Sequence, residues 1–303
     1  MRAYVLLSAA LAGVCFHAEA AQRAFVASYG SDANAASLCL LANPCRTFSA
    51  AMTAIDPGGE IVAMDTAGYA AVTINKSVTL TANPGFYAGI AASTGNAVTI
   101  ATASINVTLR GLNINGIGAQ NGVVMTNGSR LSIENCVISN FPSGDGVIVN
   151  AAAEVRVVDS MIRDNSRGVV LKGGASGVVH GSKVLGNAVA GVMVSGQAAG
   201  QTVGMVSESV LSANGINAYA FETLNTSLSR LAVMRSTLSY GNVGAKSEFA
   251  GGPTVVVVSE SLLASNSTAF FVGNPGSTLE TLGNNTVRMN GPDTGTVTTV
   301  STR

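Results

Sequence analysis

The stretch Glu154-Val155-Arg156-Val157-Val158-Asp159-Ser160-Met161-Ile162-Arg163-Asp164-Asn165-Ser166-Arg167-Gly168-Val169-Val170-Leu171 decides the fold. It opens on an aliphatic–x–aliphatic triplet, Val155-Arg156-Val157, and continues through small–x–aliphatic, Ser160-Met161-Ile162, to Asn165. Gly168 then opens another apolar run. Towards the N-terminus the pattern lies at Val107-Thr108-Leu109 with Leu112-Asn113-Ile114, and at Leu131-Ser132-Ile133 with Cys136-Val137-Ile138. Towards the C-terminus it returns with Ser182, Ser209, Ser236 and Ser261, and ends with Asn285-Thr286-Val287. The anchors 112, 136, 160, 182, 209, 236, 261 and 285 are spaced 24, 24, 22, 27, 27, 25 and 24 residues apart. A sustained period of this size marks a solenoid. Alternation of period two inside each repeat makes its elements strands.

Two positions after the anchor stand Ile114, Ile138, Ile162, Val184, Leu211, Leu238, Leu263 and Val287. Three before it stand Leu109, Ile133, Val157, Val179, Val206, Val233, Val258 and Leu282. Equivalent residues of successive coils stack about 4.8 Å apart, so each column predicts a continuous apolar stack inside the coil. Arg156, Arg163, Lys183 and Arg288 fall between the columns and face outward. Beyond the anchor come Asn140, Asn165, Asn187, Asn214, Asn242, Asn266 and Asn290. Asparagine tolerates the left-handed backbone of a turn, and stacked amides bond to one another as ladders.

The composition agrees. Charged residues make up 11% of the 303 residues and hydrophobic residues 47%, against about 25% charged in an ordinary domain. Tight turns account for the 35 glycines. With 16 Lys+Arg against 16 Asp+Glu, the chain lacks the basic footprint that nucleic acid requires, and no nucleic-acid partner is expected. High hydrophobicity at zero net charge excludes disorder.

Arg2, the apolar run Val5 to Phe16 and Ala18-Glu19-Ala20 read as an export signal over residues 1–20. No other run is long enough to span a bilayer, so no membrane insertion is expected, and the protein is placed in the periplasm or outside the cell. In an oxidising compartment Cys39 and Cys45, six residues apart, are expected to pair. Cys136 falls on an inward anchor and reads as a buried small residue. Phe48, Ala51, Met52 and Ile55 share one face of a short helix, with Thr47 as N-cap and Asp56-Pro57-Gly58-Gly59 as its stop. The helix would plug the open end of the first coil.

Coils of about 24 residues with three short strands and an Asn turn resemble the right-handed parallel β-helix of the pectin-lyase-like superfamily. Ser28-Tyr29-Gly30-Ser31-Asp32-Ala33-Asn34, Pro44-Cys45-Arg46-Thr47-Phe48, Gly58-Gly59-Glu60-Ile61, Gly68-Tyr69 and Val72-Thr73-Ile74 resemble the capping segment of exported bacterial β-helix repeat proteins. The resemblance implies an all-β domain over residues 21–303, with a cap (21–59), coils (60–290, roughly nine or ten of them) and a tail (291–303). It implies no single activity, because the superfamily hosts lyases, hydrolases and adhesins.

Beyond the signal segment His180 is the single histidine, on an outward position, and no metal or other cofactor is expected. Acids in the column before the anchors never fall in consecutive coils, so a glycosidase carboxylate pair is not evident. The charge-rich stretch 154–183 holds the candidate contacts Arg163, Asp164, Arg167 and His180, the arginines as carboxylate clamps. The two 27-residue spacings place extra residues near 195–201 and 222–227, making Gln197, Gln201, Glu222 and Asn225 candidate contacts on a polar groove. The chain has no Trp and 5% aromatics, which argues against a stacking platform for neutral sugars. The reading is a non-enzymatic surface, adhesion or carbohydrate-contact scaffold with extracellular or cell-surface polysaccharide as partner. The alternative is a polysaccharide lyase or glycoside hydrolase acting on an acidic polysaccharide.

Overall fold

The computed structural model describes residues 23–196, 200–222 and 227–301; the export signal expected over residues 1–20 lies outside them. The chain winds as a parallel β-helix with three sheets of 12, 10 and 9 strands among the described residues, here sheets I, II and III. Each coil gives one strand to each sheet in turn. In one coil these are Glu154–Val158, Met161–Arg163 and Arg167–Lys172. Nine coils are complete, matching the nine strands of sheet III.

Both predicted columns hold. Ile138 aligns with Ile162, Ile162 with Val184 and Val184 with Leu211, and all four are 0% exposed. The last coil departs from the predicted column. Val258 lies opposite Thr281 rather than Leu282, because one extra residue is taken up at Gly283, whose φ is +75°. Val287 closes its stack at the far end and is exposed.

Two corners explain the anchors and the asparagines. At the I–II corner the residue before the anchor takes a left-handed backbone, as at Asn135, Asp159, Glu208, Arg235 and Glu260, with φ between 45° and 52°. The anchor serines then bond from coil to coil. The backbone N–H of Ser160 donates to Ser182 Oγ, that of Ser182 to Ser209 Oγ and that of Ser209 to Ser236 Oγ, each at 3.1 Å. Each hydroxyl donates in turn to the carbonyl two residues before it, as Ser160 does to Val158 at 2.8 Å. Cys136 occupies a serine slot and its thiol lies 3.3 Å from the Glu134 carbonyl. Burial pushes that thiol up to about 11, so the sulfur is not a nucleophile.

The II–III corner carries the amide ladder. Asn165 donates to Asn187 at 3.0 Å, Asn187 to Asn214 at 2.8 Å and Asn266 to Asn290 at 2.9 Å. The left-handed residue is the one before each rung, such as Asp164, Ala213 or Ser265, and not the asparagine itself. Asn140 and Asn242 are not rungs. Five residues past the anchor stand Phe141 and Gly241 instead. Gly241 leaves a gap that Asn217 fills from its own strand. Asn217 accepts from Asn214 at 2.8 Å and donates to Asn266 at 3.1 Å. A Cβ on residue 241 would lie 2.8 Å from the Asn217 amide nitrogen.

The cap is as predicted, with one addition. Thr47 accepts from the Ala50 N–H at 3.1 Å and starts the helix Phe48–Ala54, which buries Phe48, Ala51 and Met52. Cys39 and Cys45 form a disulfide. The addition is the strand Arg23–Val26, which pairs with Gly59–Ala63 and makes the cap the first strand of sheet I. At the other end Thr298–Thr299 joins sheet I as the terminal strand.

Two substitutions test this arrangement. Ile162→Asp should prevent folding, because a lone carboxylate enters the apolar stack at a cost of several kcal/mol, whereas Ile162→Val should cost about 0.5–1.5 kcal/mol in urea unfolding. Asn217→Ala should cost about 1–3 kcal/mol for each buried amide left without its partner. Adding Gly241→Asn should recover part of that loss by restoring a regular rung.

Candidate functional site

The charge-rich stretch is split over three faces. Glu154, Arg156 and His180 lie outward on sheet I, Arg163 and Lys183 on sheet II, and Arg167 and Lys172 on sheet III. Both proposed clamps are already paired. Arg163 bonds to Asp164. Arg167 grips Asp145 through Nε at 2.6 Å and Nη2 at 3.0 Å, and Asp145 is buried. The two arginines therefore form no common carboxylate clamp. On sheet I, His180 Nδ1 lies 3.0 Å from Ser207 Oγ. With Glu154, Arg156, Val158, Ser176 and Val178 it lines a shallow depression of about 430 Å³.

The extended coils also differ from expectation. Gln197 and Asn225 lie outside the described residues, and Gln201 is an exposed strand residue. Glu222 is not a surface contact: it is 0% exposed. Part of the extra length goes into the strands Ala190–Gly196, Gly200–Ser207, Ile216–Glu222 and Ser227–Met234, each seven or eight residues long. Alternation along the longer strand turns Glu222 inward, where Ser229 Oγ donates to it at 2.9 Å. Gly196 leaves room for it, since a Cβ there would lie 2.0 Å from a Glu222 oxygen.

The outward face of sheet III carries a cluster that sequence reasoning missed. Strand register places Met193, Tyr219, Lys246 and Phe271 in one outward column, and Lys172, Ser195, Phe221 and Glu248 in the next. The Tyr219 and Phe221 rings lie 5.6 Å apart. Lys246 Nζ sits over both Tyr219 and Phe271, 5.1 and 4.6 Å from the ring centroids, and pairs with Glu248 at 2.9 Å. The Tyr219 hydroxyl donates to Glu248. Burial, then the Glu248 bond, pushes the Tyr219 phenol well above its usual range. Burial alone would raise Glu248, but the Tyr219 hydroxyl and Lys246 outweigh it and hold the carboxyl below 4.5.

The sequence held a signal for this face. The third strand of the middle coils lacks polar alternation, as in Gly168-Val169-Val170-Leu171 and Gly191-Val192-Met193-Val194. Strands apolar on both sides have both faces covered, and here the outward side forms a second apolar cluster of Val170, Ala190, Met193 and Tyr219. Tyr219, Phe221 and Phe271 lie together on this face. Among the described residues no three His, Cys, Asp or Glu side chains are placed to hold a metal ion, and no helix is long and apolar enough to cross a membrane.

Residues 96–290 match the family model described as "Right handed beta helix region". Among curated proteins none matches the chain. Three solved structures share the fold. The pectate lyase Pel9A has a TM-score of 0.70 at 16% identity, over 93% of this chain and 78% of its own. An alginate lyase from Paenibacillus sp. str. FPU-7 has a TM-score of 0.59 at 13% identity, over 91% of this chain and 99% of its own. A rhamnogalacturonan lyase has a TM-score of 0.52 at 10% identity, over 82% of this chain and 75% of its own.

The Glu248 network has a pH signature. A carboxylate held below its unfolded value adds stability above that value and loses it as the pH falls through the folded one. The melting temperature of the wild type should therefore exceed that of Glu248→Gln at neutral pH. The difference should shrink as the pH drops below the ordinary value of 4.5, and a difference constant down to strong acid would rule the contribution out.

Proposed function

Because the chain belongs to the right-handed β-helix family, we propose that it is an exported repeat protein that contacts a polysaccharide through the outward face of sheet III. The observation that carries this reading is the half-exposed platform of Phe221 and Phe271 with Lys246 and Glu248 between them. A saccharide site needs apolar ring faces with a few fixed polar groups, and this face supplies both on rigid strands. Adjacent coils repeat the strand spacing of about 4.8 Å, so a polymer of repeating units meets repeating contacts. The Cys39–Cys45 disulfide supports export, since such bonds persist in oxidising compartments.

The second reading is a lyase acting on an acidic polysaccharide. It draws support from the pectate, alginate and rhamnogalacturonan lyases that share the fold. Both arginines offered for substrate carboxylates are engaged within the protein, which favours contact without cleavage.

Affinity electrophoresis through gels containing pectate, alginate or a neutral glucan tests the first reading. Wild type should be retarded by at least one polymer, and Phe221→Ala should run freely without a change in melting temperature greater than a few degrees. Retardation by none of a broad polymer panel would sink the proposal. Incubation with pectate and alginate, followed by ultraviolet absorbance of unsaturated products, should give no signal, and a signal would establish the lyase.

A further inference from the structure

Sheet III carries a feature at the edge of the platform that the aromatic network leaves unused. Lys172 and Ser195 are register partners on neighbouring strands, and Phe221 follows in the next coil. All three lie on the outward side, because Leu171 and Val194 between them are buried in the coil core. Lys172 makes no ion pair among the described residues. Its acidic neighbour Asp145 is already held by both nitrogens of Arg167. Ser195 is 1% exposed, and its Oγ has no hydrogen-bond partner. A buried hydroxyl without a partner weakens a fold, and buried polar groups are almost always satisfied. A half-buried cation without an anion stands directly beside it.

We propose that Lys172 and Ser195 form a subsite for the carboxylate of a uronic-acid unit, with the sugar ring laid against Phe221. This rests on the polysaccharide-contact reading and names the chemical class of the unit bound. The ammonium and the hydroxyl are both donors, and a carboxylate offers only acceptors. Two donors on adjacent strands, their backbones about 4.8 Å apart, converge on one carboxylate group. Burial, followed by the nearby charge of Arg167, lowers the pKa of Lys172. An arriving anion offsets that cost and favours the charged form further. No bond is made or broken in this step.

The test compares pectate with its carboxyl-reduced, neutral counterpart by affinity electrophoresis. Wild type should prefer pectate, with the preference falling as salt screens the pair. Lys172→Met should weaken pectate binding about tenfold or more, the loss of a charge-assisted bond, and should leave the neutral polymer unaffected. Ser195→Ala should weaken pectate binding several-fold while the melting temperature stays equal or rises, because the orphaned hydroxyl is gone. A purely structural serine would not separate these two readouts. If both variants bind pectate like wild type while Phe221→Ala does not, the subsite is wrong and the polysaccharide reading stands. If wild type binds neither polymer, both fail together.

Discussion

Every position in a parallel β-helix must be compatible with a copy of itself about 4.8 Å above and below. That constraint governs the molecule. An aliphatic residue satisfies it by stacking, as along Ile138, Ile162 and Val184. A charge does not, which is why charged residues other than Glu222 stand mostly on the outer faces and pair with the opposite sign, as in Arg110 against Glu134 and Arg130 against Glu154. Serine and asparagine satisfy it by being donor and acceptor at once. The corner ladders therefore use two short side chains that both give and receive a hydrogen bond within one column.

Once the interior and the corners obey the stacking rule, only the outer faces remain free to differ. Sheet I spends its N-terminal half on cross-strand ion pairs, each partly exposed and worth little alone. Sheet III instead holds aliphatic residues in its middle coils and aromatic residues beyond them. The two longest coils lie beneath that aromatic region. Their extended strands bury Thr202, Glu222 and Ser229, and the coil that follows buries Ser247 and Thr254, so the core there is polar where the outside is apolar. Longer strands carry more side chains of both orientations, and the aromatic face is the outward half of that extension.

Much of the fold was legible because its signal is periodic. Columns such as Leu109, Ile133 and Val157 need no knowledge of the three-dimensional path, and neither does the outward placement of His180. The cap helix followed from spacing and from Thr47. The site was harder to read, because register across a corner depends on corner length. Arg167 meets Asp145 a full coil earlier, a pairing that adjacency in sequence hides behind Asp164. Glu222 looked like a loop residue because a polar residue next to extra length suggests a turn, yet the strand ran on and alternation turned it inward. Asn217 was invisible for a different reason. It repairs a single missing rung, and a repair occurring once has no period.

The serine ladder also has a direction. Each rung sends its backbone N–H towards the following coil and keeps its own hydroxyl proton for a carbonyl on its own strand. A coil copied whole and inserted between two others leaves every donor facing an acceptor of the same kind. A fragment of a coil does not, and the two long coils carry most of theirs at the corner without a ladder, between sheets III and I. The bonding pattern thus makes the complete coil the natural unit of duplication. Lineages carrying this architecture can change length in whole turns and shape in one corner, while the remaining two corners are inherited intact.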